Sequence, residues 1–242
     1  MSALQIRTDF EYAAPYAVMI ALSFLIGTGG LYLLSVRRGI RKETARYLLL
    51  LCPILSAAGG ALHGYLASGC TAWGLSSIGG LVGLYAAVLI LGQITQKGYR
   101  QIMVQNATLM LPLMYAIGKV GCLLGGCCRG IAYNGPFCIQ YTGMRLSTEC
   151  VFPVQLAESI TFLAIFLLGL YSFRRHRTDT FPLIFLASAG AKFLLDFLRE
   201  AHQGCVLTSN QILCILLFAA GLFCLMLSHR MERQTANHSF RQ

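Results

Sequence analysis

Three ionisable residues in the carboxyl-terminal third of the chain are spaced so that they can act together. Lys192, Asp196 and Arg199 stand at i, i+4 and i+7, and on an α-helix this spacing places side chains on one face. Lys119 follows the apolar stretch 103–117, where a cation is costly enough to indicate a function. An excess of cations suits the phosphate of a lipid headgroup. An ion network that only holds helices together is the alternative.

Other polar residues stand near the same ends of apolar segments as these four. If the segments are helices across a membrane, their polar ends all fall in the outer leaflet. We therefore expect a polar cavity open to that leaflet. Its predicted lining includes Tyr16, His63, Gln155 and Glu158.

The elements that position these residues follow from the composition. Hydrophobic residues make up 56% of the 242 residues and charged ones 12%, and several apolar runs reach 18 residues or more, which is typical of a polytopic helical membrane protein. The net charge of +10 needs no nucleic acid, because Lys and Arg gather on the cytoplasmic side of membrane proteins. We predict an all-α fold with seven transmembrane helices, at residues 15–36, 47–67, 75–94, 103–125, 153–173, 181–197 and 207–227.

The distribution of basic residues predicts the orientation. If the first basic loop, 37–46, is cytoplasmic, thirteen Lys and Arg lie on that side and three on the other. The amino terminus is therefore predicted outside and the carboxyl terminus in the cytoplasm. We expect one integral membrane domain, 1–242, with an extracytoplasmic loop at about 126–152, a cytoplasmic tail at about 229–242 and loosely ordered termini.

The ten cysteines admit two interpretations. Several fall on the outer, oxidising side, where disulfides persist. The preferred interpretation is a structural disulfide, such as one from Cys138 to Cys150. Cys127 or Cys128, next to Arg129, is the alternative as a redox or acyl-carrying thiol. The spacing of the cysteines matches no recognisable zinc pattern.

Four motifs carry a resemblance to a known family. Residues 74–83 are similar to a glycine-rich third-helix motif, and Gly-Lys-Val-Gly-Cys at 118–122 is similar to a Gly-Arg-x-Gly-Asn signature. Residues 153–158 resemble a Pro-x-Gln-Leu-Tyr-Glu box, and residues 192–199 an Arg-x-x-x-Glu-x-x-Arg segment. The motifs occur in the same order as in prolipoprotein diacylglyceryl transferase, a seven-helix bacterial membrane enzyme. The resemblance to this family covers nearly the whole chain.

The resemblance implies transfer of a diacylglyceryl group from phosphatidylglycerol to the thiol of a prolipoprotein's lipobox cysteine. It implies a multi-pass protein of the bacterial plasma (inner) membrane, with membrane lipid and a prolipoprotein signal peptide as partners and no nucleic acid. Neither a metal nor another cofactor is called for. The catalytic residues it implies are Lys192, Asp196, Arg199, His63 and Tyr16, and the substrate-binding ones are Lys119, Gly79, Gly80, Cys122, Gln155 and Glu158.

The chain departs from the family pattern at several of these positions. Lys119 and Lys192 stand where the family has arginine, and lysine lacks the bidentate fork that grips phosphate. Cys122 replaces an asparagine, and Cys127 a glutamate. Ile78 stands where the family has a histidine, and His63 is the candidate substitute for that base.

Three other functions remain open from the sequence. A membrane thiol–disulfide protein would use the cysteine cluster, and a non-catalytic lipid-binding or lipoprotein-binding relative would tolerate Ile78. A small-molecule transporter is least favoured, because the polar residues fall in one leaflet and no inverted repeat is visible.

Overall fold

The computed structural model describes residues 4–7, 13–142, 149–177, 179–202 and 206–239. Within these ranges helices dominate, and most observed helix limits lie within two residues of those predicted. The exceptions are the starts of α2 and α4, which come five and six residues earlier, and the end of α7, which lies well beyond the predicted one. The helices are α1 (Ala13–Arg37), α2 (Lys42–Ala67), α3 (Ser77–Ile94), α4 (Lys97–Leu124), α5 (Val154–Arg174), α6 (Thr180–Asp196) and α7 (Ser209–Ser239).

Helices α1 to α5 are long and apolar enough to cross a membrane, judged by length and composition. The α6 helix has 17 residues, and α7 contains a shorter apolar stretch, Asn210–Phe223. Large apolar side chains such as Leu25 and Ile94 are exposed, as expected of surfaces that contact lipid. The prediction of a mostly helical, polytopic membrane protein is confirmed.

A small β-sheet was missed by the all-α prediction. Strands β1 (Leu4–Arg7), β2 (Ile139–Thr142) and β3 (Cys150–Val151) lie in the order β1-β2-β3. The β1 strand runs parallel to β2, and β2 runs antiparallel to β3. The expectation of a loosely ordered amino terminus was thus wrong for residues 4–7. Strands of two to four residues are too short to show a periodicity, so the sequence gave no signal for them.

The sheet has its own core and its own covalent bond. Ile139, Tyr141 and Val151 are buried together, and Ile6 and Leu123 pack against them. A disulfide joins Cys138 to Cys150, as the sequence indicated. Because Leu123 belongs to α4, the apolar cluster links the sheet to the carboxyl-terminal end of that helix.

Two compact units make up the chain. Unit 1 comprises Met1–Tyr16 and Lys119–Gln242, and unit 2 comprises Ala17–Gly118. Unit 1 therefore contains the sheet, the end of α4, and helices α5, α6 and α7. Unit 2 contains most of α1, all of α2 and α3, and most of α4.

Within unit 2, glycines let α2 and α3 pack at backbone distance. A Cβ placed on Gly59 would lie 2.5 Å from the carbonyl oxygen of Gly79, and one on Gly83 would meet the carbonyl oxygen of Leu55. Only glycine avoids these overlaps, since any side chain begins with a Cβ. Gly59, Gly79 and Gly83 therefore serve close packing of α2 and α3.

Candidate active site

The candidate active site lies in unit 1, where the ends of three helices bring charged side chains together. Lys119 is in the last two turns of α4, and Glu158 is in the second turn of α5. Lys192 and Asp196 belong to the last turns of α6. Pro153 immediately precedes α5, a position that tolerates a proline because the first amides of a helix need no partner within it.

Glu158 is the centre of this cluster, because its carboxylate accepts from three cations. Its Oε2 lies 2.8 Å from Lys119 Nζ, and its Oε1 lies 2.9 Å from Lys192 Nζ. The Nη2 atom of Arg199 donates to both oxygens, to Oε1 at 2.8 Å and to Oε2 at 3.0 Å. The Glu158 side chain is fully buried, so these bonds replace the water that a carboxylate requires.

Asp196 is the second carboxylate of the cluster. Its Oδ1 lies 3.7 Å from Lys192 Nζ and 3.4 Å from Arg199 Nε. The hydroxyl of Thr208, just before α7, donates to its other oxygen. The sequence placed Arg199 on the same helix, but α6 ends at Asp196. Arg199 instead reaches Asp196 from the turn that follows the helix.

The cluster carries an excess of positive charge. Lys119, Lys192 and Arg199 contribute three positive charges, and Glu158 and Asp196 two negative ones, which leaves +1. The five side chains are no more than 11% exposed. Because burying charges costs several kcal/mol each, such a network adds little net stability. Its cost indicates a function, and its net charge suits an anion.

Backbone pairing fixes Arg199 beside the loop that follows α4. Gly130 and Arg199 form an antiparallel bridge, in which Ile131 N donates to Leu198 O at 3.0 Å and Glu200 N donates to Arg129 O at 3.1 Å. This loop, residues 125–130, is called the cysteine loop below. The sequence contains no signal for such a pairing between segments almost seventy residues apart.

The cysteine loop gathers three thiols at one point. The Sγ atoms of Cys122, Cys127 and Cys128 all lie within 4.8 Å of one another. Gly126 and Cys128 have positive φ angles, +67° and +55°, and these left-handed residues turn the loop back onto the end of α4. All three cysteines are free thiols. Hydrogen bonds from Cys122 and Cys127 lower the pKa of the Cys128 thiol below its usual range.

Gln155 holds the cysteine loop in place. Its Nε2 donates to the carbonyl oxygen of Cys127 at 2.8 Å and to the Tyr141 hydroxyl oxygen at 3.2 Å. Tyr141 donates in turn to the Leu123 carbonyl at 3.3 Å, and burial raises the pKa of its phenol to about 12. The sequence predicted that Gln155 binds substrate. Its contact with the loop was missed because the loop's fold and its partner on β2 were both unforeseen.

Tyr16 also belongs to unit 1, at the start of α1. A Cβ on Gly125 would lie 3.3 Å from the Cβ of Tyr16, so the tyrosine packs against the first residue of the cysteine loop. Of the predicted site residues, the structure therefore brings together eight in unit 1. They are Tyr16, Lys119, Cys122, Gln155, Glu158, Lys192, Asp196 and Arg199.

The three other predicted site residues belong to unit 2. A Cβ on Gly79 would lie 2.6 Å from the Cβ of His63 and would overlap the carbonyl oxygen of Gly59. A Cβ on Gly80 would lie 3.3 Å from the hydroxyl oxygen of Ser56, and that hydroxyl donates to the Gly80 carbonyl at 2.8 Å. Both glycines thus have a packing role, and His63 lies beside Gly79, the residue after Ile78.

The fold and the buried cluster define a polytopic membrane protein with a charged, anion-compatible site. The sequence model of one family, described as prolipoprotein diacylglyceryl transferase, matches residues 3–227. The chain belongs to this family.

Two relatives illustrate the similarity. The chain is 25% identical over 228 residues to phosphatidylglycerol–prolipoprotein diacylglyceryl transferase 2 of Clostridium perfringens (strain 13 / Type A), covering 86% of this chain and 88% of that protein. It is 27% identical over 237 residues to phosphatidylglycerol–prolipoprotein diacylglyceryl transferase of Pseudomonas putida (strain W619), with 86% and 88% covered.

Proposed function

We propose that this protein transfers a diacylglyceryl group from phosphatidylglycerol to the lipobox cysteine of a prolipoprotein, in the plasma membrane of a bacterium. The observation that carries the proposal is the buried cluster around Glu158, with three cations against two carboxylates, in a chain of this family. A cluster of net charge +1 attracts a phosphodiester, which carries one negative charge. The enzyme is a single integral membrane domain.

The cations act on the leaving group of the reaction. The thiolate of the lipobox cysteine attacks the glyceryl carbon of the lipid, so that a C–S bond forms and the C–O bond to phosphate breaks. The electron pair of the broken bond stays on the departing glycerol phosphate, whose negative charge rises. Lys119, Lys192 and Arg199 stabilise that charge, and Glu158 and Asp196 hold the cations in position.

The remaining site residues bind the substrates or move the proton. Tyr16, Cys122 and Gln155 border the lipid on the side of the cysteine loop. His63 accepts the proton of the attacking thiol, the task that the motif histidine performs where Ile78 stands here. Imidazole is the side chain most often used as a general base.

We also infer a topology of seven spans, with the amino terminus outside and the carboxyl terminus in the cytoplasm. The bias of thirteen basic residues against three supports it. Asn134 and Arg174 are both exposed, so cysteines introduced there report the two sides. In intact cells a membrane-impermeant thiol reagent should label Asn134→Cys above the parent protein and leave Arg174→Cys at the parent's level. The opposite pattern would reverse the orientation.

Complementation tests the function in cells. The gene should restore growth and lipoprotein lipidation to a bacterium depleted of its own diacylglyceryl transferase. A variant with Lys192→Ala should not, although it reaches the membrane in equal amount. Rescue by both proteins would leave the cation cluster without a role. Rescue by neither, with the parent protein folded and in the membrane, would favour a non-catalytic relative.

A further inference from the structure

The three thiols of Cys122, Cys127 and Cys128 form a cluster to which the proposed reaction assigns no thiol chemistry. Their Sγ atoms lie within 4.8 Å of one another, two of the residues are partly buried and Cys128 is exposed. The same structure joins Cys138 to Cys150 in a disulfide and leaves these three as thiols. We propose that they bind one Zn²⁺, with the fourth position open to the thiol of the prolipoprotein.

The spacing of the sulfurs fits this metal. Zinc bonds to cysteine sulfur at ~2.3 Å in a tetrahedron, which places two bound sulfurs roughly 3.8 Å apart. The observed separations of at most 4.8 Å therefore close by about 1 Å or less on binding. The loop is already turned back by its left-handed residues, Gly126 and Cys128. Metal binding therefore needs to order little additional backbone.

Neighbouring groups support the site from outside. Gln155 binds the carbonyl oxygen of Cys127 at 2.8 Å, and outer hydrogen bonds of this kind orient the ligands of a metal. Lys119 lies one turn before Cys122 on α4, and the backbone bridge to Gly130 places Arg199 beside the cysteine loop. Three thiolates and one Zn²⁺ carry a net charge of −1, which these cations stabilise.

The identity of the ligands selects the class of metal. Thiolates are soft ligands that favour zinc or copper(I) over magnesium, calcium or manganese. Three protein ligands with one exposed side are the arrangement of a catalytic zinc, which keeps a position for water or substrate. Copper(I) held by three thiolates would be trigonal and would have no such position. Zinc is therefore the metal that also explains the open side at Cys128.

This role rests on the proposed function, since the fourth ligand is the lipobox thiol itself. The thiol would displace a water from the metal, and its proton would pass to the base that the proposed reaction uses. A thiol coordinated to zinc is deprotonated at neutral pH. Its sulfur then forms the C–S bond to the glyceryl carbon, and the thioether product, a weaker ligand than a thiolate, leaves the metal. No oxidant or reductant is consumed.

Metal content tests the site independently of turnover. The full-length protein, purified in detergent without chelator and supplied with Zn²⁺, should hold about one zinc per chain by mass spectrometry, and Cys128→Ser or Cys122→Ser should retain about a tenth or less. Cys70 is also an exposed free cysteine and belongs to unit 2, so Cys70→Ser is the matched control and should keep the metal. Monodispersity of each variant shows that it is folded.

Cobalt substitution tests the open position. Co²⁺ in the same site should give sulfur-to-metal charge transfer and the visible bands of a tetrahedral ion. A lipobox peptide should change those bands, and the same peptide with serine for cysteine should leave them unchanged.

The outcomes separate the metal site from the transferase. A folded protein that transfers diacylglyceryl at full rate without zinc, after chelator treatment, would overturn the metal proposal and leave the proposed function intact. Copper(I) alone in the site, or an unchanged cobalt spectrum with the cysteine peptide, would also overturn it. A zinc-loaded protein whose cobalt form responds to the peptide, yet which transfers no lipid, would support the thiol site and contradict the proposed function.

Discussion

The two units bring backbone and side chains close together for different purposes. In unit 2, glycines on α2 and α3 remove side chains so that helices touch, as at Gly59 and Gly79. In unit 1, Gly126 turns a loop that brings three thiols together. The residue type is the same, but the neighbours that it admits differ.

This difference separates stability from activity. Close contact of apolar helices contributes packing energy. The role of a glycine at such a contact is therefore measured by the stability that is lost when it is replaced. A buried ion cluster contributes little net stability, so its role is measured by ligand binding and turnover. We therefore expect substitutions in the cluster of unit 1 to act on turnover and substitutions in the glycine contact of unit 2 to act on folding. His63 is the exception in unit 2, because a role in turnover is proposed for it.

Loss of a cation in unit 1 should have the largest effect on turnover. We predict that Lys192→Ala lowers kcat/KM by about 10²–10³-fold, the usual scale for a group that stabilises charge in a transition state. Lys42→Ala removes the same charge from an exposed position at the start of α2 and should leave the rate unchanged. Rates of lipid transfer by the two purified variants would measure this. Equal losses would remove the distinction between the buried cluster and the basic surface.

Lys192→Arg sharpens this test. The family motif has an arginine where this chain has Lys192, so the substitution should keep most of the activity. The guanidinium preserves the charge and adds a planar pair of donors for phosphate. If Lys192→Arg is as inactive as Lys192→Ala, the ammonium geometry toward Glu158 and Asp196 matters more than the charge.

His63 should give the next largest effect. We predict that His63→Ala lowers turnover by about 10²-fold near neutral pH, as expected for a lost general base, and that added Ile78→His restores part of it. Turnover of the single variant should rise with pH, because hydroxide replaces the missing base. Near-full activity of folded His63→Ala would confine the chemistry to unit 1.

Gly79 should give the smallest effect on chemistry and a measurable one on stability. Its Cβ would overlap the Gly59 carbonyl and press on His63, so Gly79→Ala should cost about 1–3 kcal/mol, the usual scale of overpacking. Gly29→Ala is the control, since a Cβ there has no neighbour within 4 Å. Thermal unfolding in detergent would compare them. A raised KM for Gly79→Ala at unchanged Tm would instead assign Gly79 to substrate binding.

The sequence predicted the helices well because hydropathy reports them directly. Long apolar runs with basic residues between them placed the helices close to their observed positions. The spacing of Lys192 and Asp196 also predicted their ion pair, since the helix itself sets that distance. The Cys138–Cys150 disulfide was predicted from the compartment that the topology implies.

The features of the site that the sequence did not predict depend on contacts between distant segments. The bridge between Gly130 and Arg199 and the bond from Gln155 to Cys127 join residues whose spacing carries no period. The sequence named Cys127 and Cys128 as candidate thiols. It did not show that their sulfurs meet that of Cys122, because two left-handed residues in the loop bring them there. A cysteine pair directly after a Gly-Gly pair was the one signal of a sharp turn there.

The most direct test of the central claim is lipid transfer by the purified protein. In vesicles that contain phosphatidylglycerol with labelled acyl chains, a lipobox peptide should acquire the label through a thioether that resists hydroxylamine, and glycerol phosphate should appear in equal amount. The peptide with serine in place of cysteine should acquire none. Transfer by the parent protein and its loss in Lys192→Ala would support the account. A folded, membrane-inserted parent protein that leaves the cysteine peptide unlabelled would contradict it.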